Sequence, residues 1–173
     1  MSVLIGIDVG TTSIKAVAFD TEDLAPGATC RVQTPWAEEG DVLDAEGTQE
    51  AVRQAVEEAA AETDAESVEA VGVTSMAETG VLVGRDGHAL APPIAWHDPR
   101  GEEGRERLEK ALGRTVFEGR TGVKLGTTRS AARVLWLRAE GAPVGRAERW
   151  WNVAEWAVLG LGGSPLPELS LAS

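Results

Sequence analysis

The chain has 173 residues, 43% of them hydrophobic, and a net charge of −12. That length and apolar content suffice for a packed core and exclude a disordered tail. The charge argues against nucleic-acid and anionic-membrane partners, which select basic surfaces; a bound nucleotide needs only a locally positive pocket.

Val3 to Ile7 is an apolar run that ends on an acid, Asp8, and a second run spans Ile14 to Phe19. The spacing predicts two paired strands joined by a tight turn, Gly10-Thr11-Thr12-Ser13. Such a turn suits a nucleotide triphosphate. Gly10 allows close backbone approach, successive N–H groups make an anion-binding concavity, and three hydroxyls can donate to phosphate oxygens. Asp8 can hold Mg²⁺ directly or through water. The sequence contains no G-x-x-x-x-G-K-[ST] and no strand–G-x-G-x-x-G–helix, which argues against P-loop and dinucleotide-binding folds.

A third, weaker strand is expected over Ala28–Thr34, where Cys30 reads as a small buried hydrophobe. With one cysteine there is no intramolecular disulfide. Pro35 to Asp41 reads as loop. A helix is expected from Ala45 to Glu62, with Asp44 as its cap and Val52, Ala55, Val56 and Ala59 as its buried stripe. Val68–Thr74 is expected to be a strand, apolar enough to be central, and Val81–Val83 another, closed by the turn Arg85-Asp86-Gly87. Further helices are expected at Glu102–Leu112, Ser130–Ala139, Glu148–Trp151 and Val153–Leu159. Trp136, Trp150, Trp151 and Trp156 are assigned to these helices as core residues. Gly160 to Ser173 is rich in Gly and Pro. Three strands, a crossover helix and a further strand define an α/β fold with a mixed sheet. The start lacks the basic and apolar pattern of a leader, and no stretch approaches the ~18–20 apolar residues of a membrane span, so a reducing cytoplasm is expected.

A second cluster of chemistry lies between Gly72 and Arg100. The strand at Val68–Thr74 leads to Ala77 and Glu78 at its C-terminal end, where open α/β sheets place ligands. Trp96, His97 and Asp98 follow some twenty residues on. Carboxylates accept hydrogen bonds from vicinal hydroxyls and an indole face packs on C–H surfaces, which suits a polyhydroxylated ligand. Taken singly, each residue has an ordinary alternative: a solvated Glu78, a core Trp96, a local His97–Asp98 pair. Zinc-ligand spacing and a nucleophile elbow are both missing.

Together these stretches resemble the FGGY family of carbohydrate kinases, within the actin-like ATPase superfamily. IGIDVGTTSIKAVAFD is similar to its first phosphate motif, GVTSMAETGVLV with GHALAPPIAWHDPRG to its sugar-site segment, TGVKLGTTRSAARVLWL to its helix-entry segment, and RWWNVAEWAVLGLGG with SLAS to the segment that follows. The resemblance implies an RNase-H-like, hairpin-first domain with a helical insertion. It also implies ATP with Mg²⁺ as cofactors and transfer of the γ-phosphoryl to a hydroxyl of a sugar, polyol or sugar acid. By position, Asp8 corresponds to the Mg²⁺-associated aspartate, and Gly10, Thr11, Thr12 and Ser13 to the phosphate hairpin. Lys15 matches a residue that recurs there. Ala77, Glu78, Trp96, His97, Asp98 and Thr128 fall at substrate-side positions.

Ala77 stands where glycerol-type members carry Arg, and Thr128 where they carry Tyr, which argues against glycerol and leaves the sugar open. Family members are much longer, so residues 1–173 correspond to an incomplete N-terminal domain. The catalytic aspartate and the adenosine-binding motif are expected in the second domain, and a separate chain could supply it. The piece alone is expected to be inactive. Two other classes remain: a non-kinase actin-like ATPase, and a non-enzymatic sugar-binding or interaction module. Sugar binding that depends on Trp96 separates the first from a kinase. Sugar binding without nucleotide separates the second.

Overall fold

The computed structural model describes residues 2–37, 42–61, 67–164 and 166. Glu62, residues 38–41 of the expected loop Pro35 to Asp41, and the SLAS end lie outside the described residues. The chain divides into two compact units. The first is formed by Met1–Pro35, Glu46–Met76 and Val153–Leu166, and the second by Trp36–Ala45 with Ala77–Asn152.

In the first unit, β1 (Val3–Val9) and β2 (Ser13–Asp20) form the expected hairpin, and β3 (Pro26–Gln33) pairs antiparallel with β2. Alternation explains the pairing. Val3, Ile5, Ile7 and Val9 are buried, as are Ile14, Ala16 and Ala18 opposite them, and the intervening residues face outward. Helix α1 (Ala45–Ala60) returns the chain to β4 (Val68–Ser75), which runs parallel to β1. The sheet order is β3-β2-β1-β4, a mixed sheet as expected. On α1, Val52, Ala55 and Ala59 are buried and Val56 half-buried.

Helix α5 (Val153–Gly160) also belongs to this unit and is bonded to α1. Gln49 Nε2 donates to the Trp156 carbonyl at 3.1 Å, and an Arg53 guanidinium nitrogen donates to the Gly160 carbonyl at 3.1 Å. Trp156 is buried, as expected of a core residue. Cys30 is buried on β3, and its thiol donates to Glu58 Oε2 at 2.8 Å. One expectation fails here. In the described sheet β4 is an edge strand, not a central one, and Glu69 to Gly72 are exposed. A short apolar run reads the same whether a strand is covered on both faces or on neither.

The second unit contains β5 (Gly80–Gly84), α2 (Glu102–Leu112), α3 (Arg114–Thr121), α4 (Ser130–Ala139) and β6 (Ala147–Asn152). The turn after β5 is as expected, with the Gly87 N–H donating to the Gly84 carbonyl. Glu148–Trp151 is a strand and not a helix. It lies in β6, antiparallel to β5, with Trp151 opposite Val81 and Trp150 opposite Leu82. Paired Trp residues favour a pleated surface, and four residues are too few for a stable helix. Helix α3 has no counterpart in the sequence-based expectations. Helices α2 and α4 pack at close range: a Cβ on Gly104 would meet the Ala132 carbonyl oxygen at 1.9 Å. No described helix is long and apolar enough to cross a membrane.

Candidate functional site

The first candidate site is the β1–β2 turn. Gly10 N–H donates to the Ser13 carbonyl at 3.1 Å and closes it. A Cβ on Gly10 would lie 3.0 Å from that carbonyl, so the turn is tightest with glycine there. Thr34, which sequence reasoning left as a strand end, is buried and staples the turn from outside. Its hydroxyl donates to the Gly10 carbonyl at 2.7 Å, and its N–H donates to the Thr12 carbonyl at 3.2 Å. Thr12 is exposed, and Thr11 and Ser13 half-buried.

Asp8 is exposed one step before the turn and lies in register with Lys15 on β2, which in turn lies opposite Arg31 on β3. Residues opposite one another share a sheet face. The turn is therefore flanked by a row of one carboxylate and two cations. Arg31 escaped sequence reasoning because its place in that row is set by strand register. The exposed Asp8 carboxylate fits Mg²⁺, and the two cations fit phosphate oxygens: the ion keeps most of its waters and binds proteins through one or two carboxylates plus substrate phosphates. Asp8 would hold it, and it would neutralise charge on the phosphates. Among the described residues no group of three or more His, Cys, Asp and Glu forms a closed metal cage.

The second candidate site belongs to the other unit. Ala77 is exposed at the unit's entry, and Glu78 next to it adopts a left-handed backbone, φ 63°. A non-glycine residue held there costs of order 1–3 kcal/mol and persists only where its surroundings fix it. Arg129, immediately before α4, forms an ion pair with the Glu78 carboxylate and donates through Nε to the Lys124 carbonyl at 3.0 Å. Thr128 is the half-buried residue before Arg129.

Trp96 is 44% exposed, unusual for an indole and suited to a stacking surface. His97, also exposed, packs edge-on against Trp96 at 5.3 Å between centroids and tilted against Trp36 at 6.2 Å. Asp98 is different: it is buried, and it accepts from Arg100 N–H and Arg100 Nε, each at 2.7 Å. Burial works against its charge, but the Arg100 bonds outweigh it and hold the carboxyl below its ordinary range. Asp98 thus shapes the loop first and has limited acceptor capacity left for a ligand.

Behind this loop stands Arg133 of α4, buried, donating to the carbonyls of Ile94 at 2.6 Å, Ala95 at 2.7 Å and Trp96 at 3.2 Å. Burial pulls its guanidinium below the ordinary value against the fields of Asp98 and Glu78. Sequence reasoning singled out neither Arg129 nor Arg133. Their spacing of four at the start of an otherwise apolar helix was the available signal. A nearby pocket of about 380 Å³, lined by Ile94, Arg100 and Trp136 among others, takes in none of the expected sugar-side residues.

A hairpin-first mixed sheet with a crossover helix and a parallel fourth strand is the arrangement of an RNase-H-like fold. Solved structures agree. The chain is 23% identical to xylulose kinase from Rhodospirillum rubrum with a TM-score of 0.80, covering 91% of this chain and 33% of that one. For gluconate kinase from Lactobacillus acidophilus the identity is 21%, the TM-score 0.77, and the coverage 91% and 33%. Residues 3–173 match the N-terminal domain of the FGGY family of carbohydrate kinases, and the chain belongs to that family. Among curated relatives, glycerol kinase from Aromatoleum aromaticum is 32% identical over 96% of this chain and 36% of its own length. Glycerol kinase from Rhizorhabdus wittichii is 31% identical over 92% and 33%. The chain thus spans about a third of the length of these relatives.

Proposed function

We propose that this chain is the N-terminal portion of an ATP-dependent carbohydrate kinase, carrying the phosphate turn and a sugar site. The observation that carries it is the β1–β2 turn: a closed Gly-Thr-Thr-Ser bend with an exposed acid beside it and two cations in register. In this reading Gly10, Thr11, Thr12, Ser13 and Lys15 hold the phosphates of ATP and Asp8 the Mg²⁺. Ala77, Glu78, Trp96, His97, Asp98 and Thr128 face the sugar, polyol or sugar acid. Glycerol kinases among the relatives keep glycerol on the list of acceptors, although Ala77 and Thr128 argue against it.

Phosphoryl transfer depends on positioning and on charge stabilisation around the γ-phosphoryl. In this reading the general base for the accepting hydroxyl comes from the part of the family's length that this chain does not span. Turnover is therefore assigned to the chain together with the part of the family's length it does not span, in the same polypeptide or in a partner.

Titration calorimetry tests the phosphate site. Asp8→Asn is expected to weaken Mg·ATP binding about tenfold, some 1.4 kcal/mol, and to leave metal-free ATP binding unchanged. Equal Mg·ATP affinity in the two proteins would refute the assignment. ADP release by residues 1–173 with a panel of sugars is expected to stay below ~1 s⁻¹, an ordinary enzyme rate; a faster rate would overturn the need for further sequence.

A further inference from the structure

Arg129 and Arg133 lie one helical turn apart at the entry to α4, on one face of the helix. Each is tied to a different limb of the sugar site. Arg133 has no exposed surface, and burying a guanidinium is unfavourable when an apolar side chain of the same volume would fill the space. Among the described residues no carboxylate is hydrogen-bonded to it, and its buried Nε has no partner. What it does is grip three consecutive carbonyls, those of Ile94, Ala95 and Trp96. Arg129 in turn grips Glu78, whose backbone occupies a region that non-glycine residues avoid. Packing alone explains neither choice of side chain: the half-buried Arg129–Glu78 pair joins polar groups that apolar residues could replace, and Met would replace the bulk of Arg133.

We infer that Arg129 and Arg133 are positioning residues of the sugar site, Arg129 aiming the Glu78 carboxylate and Arg133 fixing the carbonyl run that presents Trp96. One helix entry thereby sets both limbs at once. The inference rests on the sugar-site reading above and adds two residues that contact no substrate.

The test uses the whole chain with Arg129→Gln, Arg133→Met, Arg133→Lys and Arg133→Gln. Amide hydrogen exchange is read at Asp98 and Arg100, whose N–H groups are bonded within the loop. Calorimetry uses D-gluconate, D-xylulose and glycerol as probes. Arg133→Met is expected to speed exchange at these two amides about tenfold while the β1–β2 hairpin keeps its protection, and Arg133→Lys to restore most of the loss. Arg129→Gln is expected to keep the melting temperature and to weaken whichever probe binds by about tenfold.

Unchanged exchange at Asp98 and Arg100 in Arg133→Met, or acceleration throughout the chain, would overturn the role of Arg133. Should Arg133→Met fail to fold, Arg133→Gln decides it, since one amide NH2 has two donors for three carbonyls: unchanged exchange at Asp98 and Arg100 in the folded variant would overturn the role too. Unchanged probe affinity in Arg129→Gln would overturn the role of Arg129. A wild-type chain that binds none of the probes would refute the sugar-site reading itself, while the exchange result still decides whether the clamp exists.

Discussion

Cys30 shows how one buried atom responds to its surroundings. Burial, and then the hydrogen bond and charge of Glu58, push its thiol up to about 11. A raised thiol value favours the neutral form in the folded state. Its contribution is complete below the ordinary thiol range near 8.5 and is lost as pH rises toward 11. Two outcomes follow: iodoacetamide should label Cys30 slowly at pH 8 until denaturant is added, and stability measured by urea should fall between pH 9 and 11. Glu78 supplies the complementary case. Glycine and alanine both lose the Arg129 pair, but glycine accepts φ 63° freely whereas alanine keeps the strain. Glu78→Gly should be more stable than Glu78→Ala by about 1 kcal/mol in urea melts, and both should lose sugar affinity. The β1–β2 turn was legible in the sequence because its residues are contiguous and its geometry is local. Thr34, Arg31, Arg129 and Arg133 were not, since each acts through a partner fixed only by strand register or by packing.

Among the elements, the α2–α4 contact has the clearest consequence. Alanine is worth about 1 kcal/mol more than glycine inside a helix, so propensity alone predicts that Gly104→Ala stabilises. The contact predicts the opposite, because the added methyl would sit 1.9 Å from the backbone oxygen of Ala132, which cannot rotate away. Overpacking of this kind costs about 1–3 kcal/mol, and the urea midpoint should fall. The hairpin, α1, α2, α4 and α5 were readable from periodicity. β6 was not: its partner β5 lies some seventy residues earlier, and Arg-Trp-Trp-Asn alone carries no sign of that pairing. Helix α3 was missed because RTVFEGRT mixes β-branched residues with glycine, which hides its one buried residue, Phe117.

For the molecule as a whole, the outer strand of the larger sheet matters most. Val71 on β4 is 38% exposed, and a Cβ on Gly72 would meet nothing within 4 Å. An apolar edge strand is a template for association. Light scattering should show mass rising with concentration, and Val71→Lys should suppress the rise; a monomer at every concentration would refute it. Family and mixed-sheet fold were legible because the motifs run through nearly the whole chain. The division into two units was not, since the polypeptide leaves the first unit after Pro35 and again after Met76 before α5 brings it back. During synthesis, then, the sheet that holds the β1–β2 turn stays without α5 until residues 153–160 have left the ribosome. Any nascent chain stalled before that point would present α1 without the bonds from Gln49 and Arg53, and such stalled products should be preferred clients for chaperones and proteases.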